Sequence, residues 1–201
     1  MQNHPPMAHS PDTLRTVFDL IASGRQAEAV EAASAALAET ALPDAERAAL
    51  LEQRAESRLL NGDFAAAGAD AEAIAKLAER SADPAWEAMA HNLSAVVHRR
   101  MGDLPAALAA AEAAVEAGQR SGAPVLVARS LAQRGQMRAL AGTALEAALA
   151  DADRAVVLLE QAGDSWYLGR VALSARFTAL SALGRNAEAD ANSRRDRKSV
   201  V

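Results

Sequence analysis

Two histidines and a glutamate at helical spacing come closest to a metal site in this sequence. Glu87, His91 and His98 are spaced so that one helix places all three side chains on the same stripe. A helix rises about 1.5 Å per residue, so the two imidazoles are separated by about 10 Å along the axis. One ion cannot bridge them, because zinc–nitrogen bonds are about 2 Å long. The spacing predicts a solvated polar face and no metal site.

A pair of aspartates is the next candidate. Asp151 and Asp153 lie two residues apart, and such residues point in different directions on a helix. No calcium-loop pattern, with its central glycine and terminal glutamate, surrounds them. We therefore expect both carboxylates to be surface charges.

The sequence contains no recognisable catalytic motif. It has no glycine-rich phosphate loop, no nucleophile elbow and no zinc-protease motif. It also has no cysteine to act as a nucleophile or thiolate ligand. We predict that this chain is not an enzyme and uses no cofactor. Whether a longer protein carries a catalytic domain beyond it is left open.

The composition limits the class of partner. A net charge of −5 and a pI near 5.4 argue against nucleic acid, since phosphate binding needs a basic surface. No apolar run approaches the roughly 20 residues of a membrane span, and the first residues do not have the pattern of a signal peptide. We expect a cytoplasmic protein with neither a nucleic-acid nor a membrane partner.

Five periodic glycines indicate how the chain is organised. Gly24, Gly62, Gly102, Gly142 and Gly184 follow one another at spacings of 38, 40, 40 and 42 residues. Each interrupts an alanine- and leucine-rich stretch with helical periodicity, whereas no useful length alternates as a strand would. A period in this range is typical of stacked helical hairpins. The pattern predicts an all-α chain that turns at each of these glycines.

Further signals predict where individual helices begin and end. Asp44, Asp63 and the pair Asp83-Pro84 are helix-start signals. The second helix is predicted over residues 26–42, and the last long helix over residues 165–183. A final helix starting near Asn186 is predicted to extend only to about residue 193.

Small residues recur at matched positions on both helices of a hairpin. On the second helix, the position five residues after the turn glycine, or six in the fourth hairpin, is occupied by Ala29, Ala67, Ala107 and Ala148. On the first helix, the position seven residues before the turn glycine is occupied by Ala55, Ala95 and Gly135 in the second, third and fourth hairpins. Small side chains at facing positions predict a close helix–helix contact there.

These features resemble the tetratricopeptide repeat (TPR) family. The segment Met101-Gly102-Asp103-Leu104-Pro105-Ala106-Ala107-Leu108 is similar to the family's turn and second-helix signature, and Asn61-Gly62-Asp63-Phe64 is a second match. The period is similar to that of the longer, roughly forty-residue variant. The resemblance implies a right-handed α-solenoid of stacked antiparallel helical hairpins, with about four and a half repeats.

The expected organisation has three parts. Residues 1–11 are a disordered leader, and residues 12–195 form the TPR-like domain with its last repeat truncated. The basic residues 196–201 have two explanations, an interaction tail or a non-native tail. One reverse translation of them is similar to a common sequencing adapter, which favours the non-native tail and a natural protein that continues further.

The resemblance also implies a function and a binding surface. First helices of TPR hairpins line a concave face that binds a peptide or a domain, so we expect a protein–protein interaction scaffold. The polar residues that helical-wheel placement assigns to this face are Glu87, His91, His98, Arg129, Gln133 and Gln136. The alternative is a regulatory TPR region of a larger bacterial protein, such as a nucleotide cyclase or a transcription regulator. Its partner would then be a downstream domain of the same chain.

The last hairpin suggests one more partner. The helix over residues 165–183 carries the densest set of large apolar residues in the chain. If the repeat is truncated, part of that surface lacks a covering helix. We therefore expect self-association through the C-terminal hairpin.

Overall fold

The computed structural model describes residues 11–199, and the side chains of residues 13–194 among them. It confirms the all-α prediction, because these residues contain no β-strand. The helices are α1 (Pro11–Ala22), α2 (Gln26–Leu37), α3 (Asp44–Asn61), α4 (Phe64–Ser81), α5 (Pro84–Arg100), α6 (Leu104–Ser121), α7 (Pro124–Leu140), α8 (Leu145–Ala162), α9 (Ser165–Tyr167), a π-helical segment (Leu168–Leu173), α10 (Ser174–Ala182) and α11 (Asn186–Ser199).

The periodic glycines form the turns that the sequence predicts. All five have positive φ, from 67° at Gly142 to 85° at Gly102, a conformation that costs a residue with a side chain far more than glycine. Gly122 and Gly163, at connections between hairpins, also have positive φ. Each hairpin thus reverses its direction where a left-handed residue ends its first helix.

Aspartates begin most of the helices that follow a turn. Asp63, Asp83, Asp103 and Asp164 each accept a hydrogen bond from a backbone N–H two or three residues later, which satisfies a donor that the helix leaves free. The prediction for Asp44 is wrong by one position. Pro43 is the N-cap residue of α3, and Asp44 lies in the first turn, where the helix dipole favours negative charge.

Helix α2 ends five residues earlier than predicted. Arg47 of α3 donates hydrogen bonds to the carbonyls of Leu37 (3.2 Å) and Glu39 (3.0 Å). These bonds replace the helical partners that carbonyls at a helix C-terminus lack. The chain therefore leaves the helix at Leu37, although residues 38–42 have good helix propensity.

The fifth hairpin departs from the prediction on both of its arms. Its first arm is not one α-helix, because residues 168–173 form a π-helical segment. Its second arm, α11, extends to Ser199 and is anchored by the buried residues Ala189 and Asn192. The Asn192 Nδ2 atom donates a hydrogen bond to the Leu173 carbonyl at 2.8 Å, at the end of the π-helical turn.

The packing of the C-terminal hairpin reduces the apolar surface expected there. Leu173 and Leu180 are fully buried, whereas Phe177 is 42% exposed. Self-association through this hairpin stays a prediction. The leader up to residue 10 and Val200-Val201 lie outside the described residues, and the origin of the tail is likewise untested.

The chain divides into two compact units at residue 77, within α4. In the first unit, Val17, Ile21, Leu50 and Ile74 are buried among alanines. In the second unit, one core cluster contains Val115, Leu131, Val156, Leu159 and Leu173. Alanine occupies most remaining core positions in both units, because few large side chains are available.

The predicted close contacts between hairpin helices are present. Ala29, Ala67, Ala107 and Ala148 are fully buried, as are Ala55 and Ala95. At Gly135, an added Cβ would lie 2.7 Å from the carbonyl oxygen of Ala148. Helices α7 and α8 therefore approach more closely than an alanine would permit.

Candidate protein-interaction surface

Arginine–aspartate clusters join the two helices of alternate hairpins. In the first unit, Arg54 and Arg58 of α3 each lie 2.6 Å from the Asp70 carboxylate of α4. Asp70 is only 2% exposed. Arg54 also donates a hydrogen bond to Ser34 Oγ of α2 at 3.0 Å. The cluster fixes α3 against both neighbouring second helices.

The second unit repeats this arrangement and corrects one prediction. Asp151 is 8% exposed and binds Arg134 at 2.7 Å and Arg138 at 3.0 Å. It is therefore a buried structural anion and not a surface charge. Its hydrogen bond raises the pKa of Arg134. Asp153 is a surface charge as predicted, half exposed and paired with Arg176 at 2.6 Å.

A sequence signal for these clusters existed. Arginines stand eight and four residues before Gly62 and Gly142, and an aspartate stands eight or nine residues after each glycine. In the third hairpin, Ser94, His98 and Ala110 occupy the corresponding positions. Comparing the positions of the charged residues relative to the turn glycine in each hairpin would have predicted both clusters.

Glu87, His91 and His98 lie along one stripe of α5, where the side chains of Glu87 and His91 are 43% and 38% exposed. Glu87 is paired with Arg120 of α6 at 2.6 Å, and His91 lies 4.0 Å from Glu87. His98 has the register of Arg58 and Arg138, which face the second helices. Glu87 is thus tied to α6 by a surface ion pair, and binding of a partner along this stripe stays a prediction.

Arg129 was expected on the open polar side of α7, and that expectation is wrong. Its side chain is buried, with 8% exposure, and its guanidinium lies 4.1 Å from the centroid of the Tyr167 ring. Tyr167 belongs to α9 in the next hairpin. Arg129 thus stabilises the contact between successive hairpins and is not open to a partner.

Gln133 and Gln136 are the other two residues of α7 that were predicted to line the binding surface. Both are half-buried on α7. The Gln133 Oε1 atom is buried and accepts no hydrogen bond from any described residue. A buried amide oxygen without a donor is costly, because it has lost water without replacement. Hydrogen bonds among the described residues therefore do not account for the burial of this atom.

A second buried polar group without a hydrogen-bond partner was not predicted from the sequence. The Arg99 Nε atom of α5 is buried and donates to no acceptor among the described residues. Burial and the neighbouring positive charge of Arg100 lower the pKa of Arg99. Arg100 itself is exposed. The adjacent helices α5 and α7 thus each contribute a buried polar atom that lacks a partner.

Other types of site have no support in the part of the chain that the structure describes. No group of three or more histidines, cysteines, aspartates or glutamates there could hold a metal ion. No helix of residues 11–199 is both long and apolar enough to cross a membrane.

Comparisons with known proteins identify the fold. No protein-family model and no curated protein matches the sequence. The structure is similar to BtubC (BKLC) from P. vanneervenii, with a TM-score of 0.63 and 16% identity over 91% of this chain and 76% of that chain. It is also similar to TTC0263, a thermophilic TPR protein of Thermus thermophilus, with a TM-score of 0.59 and 21% identity over 94% and 98% of the two chains.

These likenesses confirm the predicted fold class. The chain has a TPR-like fold, an all-α helical repeat of the α-solenoid class. TPR-like folds generally mediate protein–protein interaction. At these sequence identities the likeness extends to the fold alone.

Proposed function

We propose that this chain is a protein–protein interaction module that binds a segment of a partner protein along the first helices α5 and α7. The polar surface around Arg99, Arg100, Gln133 and Gln136 is called the α5–α7 face. The TPR-like fold supports an interaction role. The unmet acceptor of Gln133 is the observation that supports this face as the binding surface.

The chemistry of the face suits a polypeptide ligand. An extended segment carries a backbone N–H at every residue except proline, so it can supply the donor that Gln133 lacks. The half-buried amide of Gln136 lies one helical turn further along the same side of α7. Binding would thus give the buried acceptor of Gln133 its missing hydrogen bond.

Variants of the two glutamines test this function. Gln133→Ala and Gln136→Ala should each reduce capture of the partner, while both proteins keep the wild-type melting temperature. Gln119→Ala is the matched control, because Gln119 is an exposed glutamine near the end of α6. Affinity capture at equal loading, quantified by mass spectrometry, measures the difference. Partner recovery that is equal for all four proteins would contradict the proposed site.

A further inference from the structure

We propose that Asn61, in the turn of the second hairpin, is a site of spontaneous covalent modification at which the side-chain amide is lost and an isoaspartate forms. The reaction requires only water and the backbone nitrogen of Gly62. This inference goes beyond the proposed function and does not depend on it.

The residue after Asn61 distinguishes it from every other asparagine of the chain. Asn61 is followed by glycine, whereas the others precede histidine, leucine, alanine and serine. These others are Asn3, Asn92, Asn186 and Asn192. In the first step of the reaction, the backbone nitrogen of the following residue attacks the side-chain carbonyl carbon of asparagine. A side chain on the attacking residue hinders that approach, and glycine has none.

The structure leaves Asn61 and Gly62 open to this reaction. Asn61 is the last residue of α3, and both residues are exposed. A Cβ built on Gly62 would meet no atom within 4 Å, so no neighbouring group crowds the turn. The Gly62 N–H donates to the Leu59 carbonyl at 3.4 Å, which is longer than an ordinary N–H···O hydrogen bond. The attacking nitrogen is therefore held less tightly than an amide inside a helix.

Two other asparagines are protected by their surroundings. Asn92 and Asn192 are each 3% exposed. Asn92 Nδ2 donates to Ser130 Oγ at 2.9 Å, and Asn192 Nδ2 donates to the Leu173 carbonyl at 2.8 Å. Each side chain must break its hydrogen bond and leave the core before it can react. Asn192 is the closer comparison, because the residue after it, Ser193, is also small.

The bonds formed and broken balance without an oxidant or a reductant. Hydroxide removes the proton of the Gly62 nitrogen, which then bonds to Cγ of Asn61. The Cγ–Nδ2 bond breaks, and the amide nitrogen takes a proton from water and leaves as ammonia. Water opens the resulting five-membered succinimide. Cleavage of the new N–Cγ bond yields aspartate, whereas cleavage between that nitrogen and the main-chain carbonyl carbon of residue 61 yields isoaspartate.

An isoaspartate alters the turn in two ways. Its main chain runs through Cβ, so one methylene group is added to the backbone ahead of Gly62. The hydrogen bond from the Asp63 N–H to the Arg58 carbonyl, 2.9 Å long, spans this point. A new carboxylate also lies at the C-terminal end of α3, where the helix dipole disfavours negative charge. Because Arg58 binds Asp70 of α4, the change reaches the charged cluster of the second hairpin.

Mass spectrometry of peptides from the aged full-length chain measures the reaction. Trypsin releases residues 59–76, a peptide in which Asn61 is the one asparagine. In mildly alkaline buffer, deamidation of this peptide should proceed within about 10-fold of its rate in the urea-unfolded chain, because helix ends open at little cost in free energy. Asn92 and Asn192 should react at least about 100-fold more slowly in the folded chain than in the unfolded one, because the core must open first.

Two variants at position 61 serve as controls. Asn61→Gln should leave the peptide unmodified over the same period, because glutamine would have to form a six-membered ring. Asn61→Asp supplies the aspartate product without isoaspartate. The aged chain, once its amide at position 61 is lost, should melt about 2–4 °C below Asn61→Asp, since the longer backbone also breaks the hydrogen bond between Asp63 and Arg58. Circular dichroism measures both melting temperatures.

Three results would overturn the inference. The first is protection of Asn61 in the folded chain equal to that of Asn192. The second is aspartate as the sole product, established by electron-transfer fragmentation of the peptide, because a succinimide opens at both carbonyls. The third is a melting temperature of the aged chain equal to that of Asn61→Asp.

Discussion

At the scale of single residues, Asp151 is a charged group that the second unit buries. It is buried and holds two arginines of α7. Asp151→Ala leaves both guanidiniums without their carboxylate, which should cost about 2–4 kcal/mol of unfolding free energy. Asp153→Ala breaks a half-exposed pair and should cost about 0–1 kcal/mol. Urea denaturation monitored by circular dichroism compares the two, and equal midpoints would contradict the role of Asp151.

Gly102 tests the backbone conformation of a turn. It has a φ of 85°, and a Cβ added there would meet nothing within 4 Å. The cost of a substitution is therefore backbone strain alone. Gly102→Val should lower stability by about 1–2 kcal/mol, whereas Gly102→Asn should cost less, since asparagine tolerates this conformation better. Chemical denaturation of the two variants measures the difference, and an unaltered midpoint for valine would show that the turn is wrongly placed.

Arg129 tests the contact between successive hairpins. Arg129→Glu replaces a buried cation, stacked on Tyr167, by a carboxylate in the same position. The melting temperature should fall, with a loss of about 2 kcal/mol or more. Arg170→Glu is the comparison, because Arg170 is exposed while it stacks on Trp166, and it should lower the melting temperature less. A melting temperature unchanged in Arg129→Glu would mean that Arg129 is open to solvent after all.

At the scale of elements, the third hairpin lacks the charged cluster of the second and fourth hairpins. Ser94 and Ala110 occupy the positions of Arg134 and Asp151. Introducing Ser94→Arg and Ala110→Asp together should be more favourable than the sum of the single changes, by about 0.5–1 kcal/mol. A double-mutant cycle by urea denaturation yields this coupling. Zero coupling would show that the register of α5 against α6 differs from that of α7 against α8.

The sequence predicts the elements well where the signal is local. Glycine at a positive φ, aspartate at a helix start and alanine at a close contact each act within a few residues, so the turns and most helix bounds could be read directly. The end of α2 and the π-helical segment could not. They are associated with hydrogen bonds from Arg47 and Asn192, side chains that lie ten and nineteen residues away from their acceptors.

The candidate site was less predictable, for a related reason. Helical-wheel placement describes one helix, whereas burial depends on the neighbouring helices. Arg129 appeared open on the helical wheel, whereas in the structure it is buried and stacks on Tyr167 of the next hairpin. Arg99 was overlooked because an arginine near a helix C-terminus has an ordinary explanation in the helix dipole. Only the packing showed that its Nε atom is buried without a partner.

At the scale of the whole molecule, the TPR-like helical repeat suits the proposed role in protein–protein interaction. A helical repeat builds its core from contacts between neighbouring helices, so its first helices are free to present polar groups along a continuous surface. In this chain the alanine-rich core supplies those contacts with few large side chains. In the proposed function, a partner binds to the α5–α7 face, where Arg99 Nε and Gln133 Oε1 lack a hydrogen-bond partner among the described residues.

Site-specific photo-crosslinking tests the central claim, binding of a partner on the α5–α7 face, most directly. A photoreactive phenylalanine analogue at position 136 of α7 should yield a discrete crosslinked partner in cells, and the crosslink should weaken when Gln133→Ala is added. The same analogue at position 119 of α6 should yield none. Equal crosslinking from positions 119 and 136, or a product that is insensitive to Gln133→Ala, would contradict the account.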